Sequence, residues 1–148
     1  MNLEQILTEW KTDSQIEFNK LDVSSHKTPE LHAKYLELYT NAKLRLKDLE
    51  FKQQLLLKDK YMYYEGKMSK EEIDLRGWKY DPFDGLTVRT NKEKEYYYET
   101  DKEIKESEAK IVYQTTIVET LKEIMDNIKW RHSTIKNMID WKRFEAGF

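Results

Sequence analysis

Apolar residues recur along this chain at spacings of three, four and seven, the signature of amphipathic helices. Near the start, Leu3, Ile6, Leu7 and Trp10 share one face of a helix predicted over residues 2–18. The LDVSSHK stretch, residues 21–27, breaks the pattern and reads as a linker. Thr28, Pro29 and Glu30 then supply a helix start: a hydroxyl that can cap, a fixed φ, and an acid facing the positive end of the helix dipole. From there to Gly66 nothing interrupts. Tyr35, Ala42, Leu49, Leu56 and Tyr63 recur every seven residues, with Leu31, Leu38, Tyr39 and Leu46 widening the stripe. A helix over 28–66 would be roughly 57 Å long at a rise of 1.5 Å per residue.

Ser69 with Glu72 predicts a capped short helix ending near Arg76, and the Gly- and Pro-containing RGWKYDPFDGLTVRT, residues 76–90, predicts a loop. The last helix is predicted over about 100–145. With Ile111 at heptad position a, the a series is Ile111, Val118, Met125, His132 and Ile139, and the d series is Gln114, Leu121, Ile128, Ile135 and Lys142. Ile117, Ile124 and Met138 fall at g, so the stripe is wider than a two-position seam and a single helix cannot cover it. Ile111, Ile117, Val118, Leu121, Ile124, Met125, Ile128, Ile135 and Ile139 are therefore the expected oligomerisation surface. The fold class this predicts is all-α: residues 1–148 as one domain of long helices with heptad-patterned stripes, assembling into a ring-like homo-oligomer. The alternative is a monomeric bundle that buries the stripe internally.

Composition agrees. Of 148 residues 39% are hydrophobic and 36% charged, with four Gly and two Pro, which suits long helices with narrow apolar stripes. The absence of Cys removes disulfides, thiolate metal sites and cysteine nucleophiles, and fits an intracellular protein. No apolar run reaches a membrane span, and MNLEQILTEWK lacks the basic flank and apolar core of a signal peptide. A cytoplasmic protein is expected. Catalytic constellations are missing too: His26, His32 and His132 have no ligand-spaced partners, no phosphate-binding glycine loop occurs, and the carboxylates lie in mixed runs suited to intrahelical ion pairs. Neither an enzyme nor a metal or cofactor site is expected.

Charge is uneven. Residues 27–70 carry ten Lys or Arg against six acids, a net +4, so the rest of the chain stands at −6 although the whole is only −2. From Asn127 onward the balance is +3. Inside the basic stretch, LLLKDKYMYYEGK interleaves cations with rings. Helical spacing puts Lys60, Tyr64 and Lys67 on one face with Lys58 and Tyr61 on its flank. Lysines beside tyrosines suit single-stranded nucleic acid, where cations follow phosphates and rings stack on unpaired bases. Lys43, Arg45 and Lys47 form a second candidate cluster. Lys129, Trp130, Arg131, Lys136, Trp141, Lys142 and Arg143 form a third, whose tryptophans fit helix packing better.

Over nearly its full length the chain resembles the UvsY family of recombination mediators from tailed bacteriophages. The resemblance rests on Met1, Leu3 and Glu4, Lys20-Leu21, Lys34 and Leu36, and Leu57-Lys58-Asp59-Lys60 followed by Tyr63-Tyr64 and Gly66. It continues through Asp101-Lys102, Ile128-Lys129, Arg131, Ile135-Lys136, Asp140 and Phe144-Glu145-Ala146-Gly147. Two features depart from the family. The stretch from Met68 to Glu95 is about ten residues longer, with Trp78, Tyr80 and Phe83 lacking counterparts, and Asp59 replaces a small residue. The resemblance implies contact of Lys58 and Lys60 with single-stranded DNA and a ring, heptameric in the family, built through the C-terminal helices. It also implies a phage recombinase and a phage single-strand-binding protein as partners in the host cytoplasm. The competing expectation is a non-enzymatic coiled-coil adaptor that binds only proteins.

Overall fold

The computed structural model describes residues 1–147, and among them it contains six helices and no strand. They are α1 (Leu3–Asp13), α2 (Leu21–His26), α3 (Thr28–Tyr64), α4 (Lys70–Arg76), α5 (Asn91–Glu99) and α6 (Lys102–Glu145). The two long helices match their predicted spans within two or three residues. The first is shorter than predicted, and the supposed linker is α2, which buries Leu21 and Ser24. Among the described residues no helix is long and apolar enough to cross a membrane.

The chain divides into two compact units, residues 1–45 with 114–148 and residues 46–113, and α3 and α6 contribute to each. In the first unit, α1 begins with a reciprocal cap: the Gln5 amide donates to Asn2 Oδ1 at 2.8 Å, and the Asn2 amide to Gln5 Oε1 at 2.9 Å. Capping lets this short helix present Ile6 to the core, where Leu31, Tyr35 and Ala42 of α3 meet Ile117, Leu121, Ile124 and Ile128 of α6. Leu121 is 0% exposed. The α3 and α6 segments run antiparallel, since Ala42 lies beside Gln114 and Thr28 beside Arg131.

Two polar side chains are accommodated in that seam by hydrogen bonds, as burial requires. Gln114 Nε2 donates to the Ala42 carbonyl at 3.0 Å. Arg131 donates from Nε to Thr28 Oγ1 at 3.2 Å and from Nη2 to the Ser24 carbonyl at 3.3 Å, tying α2 and the start of α3 to α6. At the unit's edge Asp13 accepts from Lys34 at 2.6 Å and from the Tyr35 hydroxyl at 2.8 Å. Burial alone would raise the Asp13 carboxyl; these donors outweigh it and hold the pKa below the usual range.

Along α6 of this unit the buried positions are Gln114, Ile117, Leu121, Ile124, Ile128, Arg131 and Ile135, alternating by three and four. The working seam is thus d with g, rather than a with d. Within the single chain this seam already uses part of the expected oligomerisation surface. Ile117, Leu121, Ile124, Ile128 and Ile135 are enclosed by their own chain. Val118 and Met125 are half-buried, and Ile139 is 40% exposed; Ile111, in the other unit, is also half-buried.

The second unit is built around the Tyr64 end of α3. Ser69 caps α4 by accepting from the Glu72 amide at 3.3 Å, and Gly77, at φ 73°, ends it in a left-handed turn that only glycine adopts without strain. Residues 77–90 form the predicted loop. Thr90 caps α5 and Asp101 caps α6, its Oδ1 accepting from the Ile104 amide at 3.1 Å.

Candidate nucleic-acid interface

The basic, aromatic end of α3 divides into an inner and an outer face. Inward, Lys60 is only 4% exposed. Its ammonium lies 3.0 Å from Asp101, 3.6 Å from Glu103 and 3.9 Å from the centre of the Trp78 ring. The Tyr64 hydroxyl donates to the same Asp101 carboxylate at 2.6 Å, and the Trp78 indole N–H donates to Glu103 at 2.6 Å. The Tyr63 hydroxyl donates to the Lys79 carbonyl, and its ring lies 5.0 Å from Trp78. Tyr64 meets Phe83 and Tyr98, and Phe83 meets Tyr97. Within this unit a buried ion pair with an aromatic collar pins loop 77–90, α5 and the start of α6 to α3.

Electrostatics follow from that closure. Burial would raise the Asp101 carboxyl, but hydrogen bonds from Tyr64, Lys60 and the Ile104 amide hold it below its ordinary pKa. Burial, then the hydrogen bond to an anion that resists a second charge, pushes the Tyr64 hydroxyl well above the usual phenol range. Burial first, and nearby carboxylates second, raise Tyr63 and Tyr98.

The structure corrects the expected exposure of Lys60 and Tyr64. An ammonium held by two carboxylates and an indole face has no open side for a phosphate, and the Tyr64 ring is packed against other rings. Lys58 and Lys67 are exposed. Neither has a carboxylate partner among the described residues, and Lys67 stands 5.7 Å from the centre of the Tyr61 ring, which is 51% exposed. Lys70, which the spacing argument did not single out, stands likewise 5.8 Å from the Tyr80 ring. Nearby acids are engaged: Asp59 with Arg76 at 2.5 Å, Glu65 with Lys94 at 3.5 Å, Asp84 with Lys79 at 2.9 Å. Asp59 therefore does not oppose Lys58 with a free charge.

In the second cluster Lys43, Arg45 and Lys47 are exposed; Lys43 stands 5.3 Å from the Tyr39 ring and Lys47 pairs with Glu50 at 3.3 Å. In the third, Arg131 is buried, while Trp130, Trp141 and Phe144 are exposed, the last two stacked at 5.6 Å. His32 and His132 line one groove of about 360 Å³ with Met125 and Asp126. Among the described residues no group of three or more His, Asp or Glu side chains is placed to hold a metal ion.

The family model described as the recombination, repair and ssDNA binding protein UvsY matches residues 9–148. The chain belongs to the UvsY family. A curated relative, the recombination protein uvsY of Enterobacteria phage T4, is 25% identical over 147 residues, covering 99% of each chain. Crystal structures of the bacteriophage T4 recombination mediator protein UvsY share the fold at 23% identity. The lattice type II form has a TM-score of 0.79 with 99% of each chain covered; the lattice type IV form has 0.78 with 98% of this chain and 99% of that one. UvsY membership accounts for the all-helical architecture and places the chain among recombination and repair proteins.

Proposed function

We propose that this protein is a non-enzymatic recombination mediator that binds single-stranded DNA and helps a phage recombinase load onto strands covered by single-strand-binding protein. The observation that carries this reading is the outer face of the second unit, where Lys58 and Lys67 stand exposed without carboxylate partners among the described residues, and Lys67 lies beside the open Tyr61 ring. Lys58 and Lys67 hold phosphates, and Lys43, Arg45 and Lys47 supply further cations for the strand. Lys60 and Tyr64 support this face from within and do not touch the strand.

Copies of the chain form a ring, a heptamer by family resemblance, in the host cytoplasm. Val118, Met125 and Ile139, together with exposed Trp130, Trp141 and Phe144, supply its contacts, while Ile111 and the buried isoleucines shape α6 from within. Repetition makes weak sites add through effective concentration. The wrapped strand is then held in a form that the coating protein accommodates less well than the recombinase does, and loading shifts only as far as that difference in affinity.

Fluorescence polarisation with labelled oligo-dT and duplex of equal length, across a salt series, tests the proposal. Single strands should bind more tightly. Lys58→Ala with Lys67→Ala should flatten the log-log salt slope by about 1.4 per subunit, at about 0.7 per phosphate contact. A slope unchanged from the parent would refute the assignment, and equal indifference to both strands would favour a protein-only adaptor.

A further inference from the structure

Most rings of the second unit are spent on packing. Tyr63, Tyr64, Trp78, Phe83, Tyr97 and Tyr98 all have ring neighbours inside it. Tyr61 and Tyr80 have none among the described residues, and they are 51% and 68% exposed. Each carries instead one lysine ammonium, Lys67 on Tyr61 and Lys70 on Tyr80, at 5.7 and 5.8 Å. Only Met68 and Ser69 separate Lys67 from Lys70, so across three peptide links their Cα atoms stand within about 11 Å at about 3.8 Å each. The two lysine–ring pairs thus flank one short turn.

The Tyr80 backbone is pinned on both sides while its ring is left open. The Lys79 carbonyl accepts from Tyr63, Trp78 covers Lys60, and Asp81 accepts from the Phe83 and Gly85 amides at 2.9 and 2.6 Å. Tyr61 is fixed by α3 itself. An open ring on a rigid backbone loses little freedom on stacking, and a cation beside it is placed for the phosphate of the stacked nucleotide.

We infer that Tyr61 with Lys67 and Tyr80 with Lys70 form a two-ring stacking site for unpaired bases, with loop 77–90 supplying half of it. The inference rests on the single-strand-binding function proposed above and assigns the contacts to bases that the phosphate-binding lysines cannot make. It gives the Lys60–Asp101 pair a purpose as well: by holding Trp78 it sets where Tyr80 stands.

Binding of the full-length protein to oligo-dT is compared with binding to an abasic deoxyribose-phosphate strand of the same length. The parent should prefer the strand with bases by about tenfold or more, the range expected for loss of stacking. Tyr61→Ala with Tyr80→Ala should erase that preference without changing the salt slope, whereas the paired Phe variants should keep it. Tyr96→Ala, a comparably exposed ring with no lysine ammonium over it among the described residues, should leave it intact. An undiminished preference in the paired Ala variant, or its loss with Tyr96→Ala, overturns the stacking site alone. Failure of the parent to bind oligo-dT overturns the proposed function together with it.

Discussion

Near Thr28, α3 buries Leu31 and Tyr35 among Leu121 and the isoleucines of α6; near Tyr64 it buries Lys60 against Asp101. One helix thus meets two kinds of interior. The apolar seam gains from area, each fully buried Leu or Ile contributing about 1.5–3 kcal/mol whatever its precise neighbours. The ion pair gains little net, because desolvation offsets most of the attraction, but it is directional. Asp101 accepts from Lys60, Tyr64 and the Ile104 amide together, so it fixes a loop, a helix start and α3 in one arrangement. The seam supplies stability; the pair supplies position.

The largest test of that contrast is substitution at each centre. Lys60→Met strands the Asp101 carboxylate and should destabilise the chain by about 3–5 kcal/mol. Adding Asp101→Asn keeps the α6 cap, removes the stranded charge and should restore much of the loss. Leu121→Ala should cost about 3 kcal/mol through a cavity, and no polar partner exists whose change would restore it. Urea denaturation of the parent and these three variants decides this. If Asp101→Asn recovers nothing from Lys60→Met, the pair is not what organises the second unit.

A smaller and reversible effect should come from pH. The hydroxyls of Tyr63, Tyr64 and Tyr98 are raised in the folded second unit, against Tyr35 in the first. A raised pKa means stability that is whole below the ordinary phenol value, about 10, and is lost as pH climbs past it toward the folded value. The second unit should therefore loosen first on the alkaline side, seen as a change in Trp78 fluorescence in a variant with Trp10, Trp130 and Trp141 replaced by Phe. Asp13 and Asp101, depressed in their respective units, act in the opposite direction. Their contribution is whole above about 3.9 and fades as pH falls below it, so the acid limb should not separate the units. If Trp78 responds no earlier than circular dichroism above pH 10, the phenol hydroxyls are not a determinant of this unit.

The long helices were legible because capping signals and heptads are local: Thr28-Pro29-Glu30 starts α3 where the structure starts it. Loop 77–90 was legible from its glycines and Pro82. What local spacing cannot show is which face the partner covers. The g-position Ile117 and Ile124 signalled a shifted seam, yet only α3 and α1 decide that d and g are enclosed while Val118 and Met125 stay half open. Lys60 was misread for the same reason. Its partners, Trp78 and Asp101, lie in a loop and a distant helix cap, and helical periodicity cannot distinguish a lysine that faces solvent from one that faces a carboxylate. The α2 helix, six residues with no side-chain cap at Lys20, left no pattern to read.

The smallest effect on stability sharpens the contrast within the second unit itself, because Asp59 forms an ion pair there that is not buried. Arg76 meets it at 2.5 Å with side chains 45% and 24% exposed, and the guanidinium also lies 5.5 Å from the Trp78 ring. Exposed pairs of this kind contribute about 0–1 kcal/mol, and an exposed cation–ring contact about 0.5–1 kcal/mol. Arg76→Ala should therefore lower stability by only about 1 kcal/mol, well short of Lys60→Met. Its effect on binding should be clearer, because it frees the Asp59 carboxylate next to Lys58. Oligo-dT affinity should fall a few-fold, given about 1 kcal/mol for an opposing charge some 4 Å away in water. Adding Asp59→Asn should return it to the parental value. A stability loss as large as that of Lys60→Met would erase the distinction between the buried and the exposed pair. Unchanged affinity would mean that Lys58 does not hold the strand.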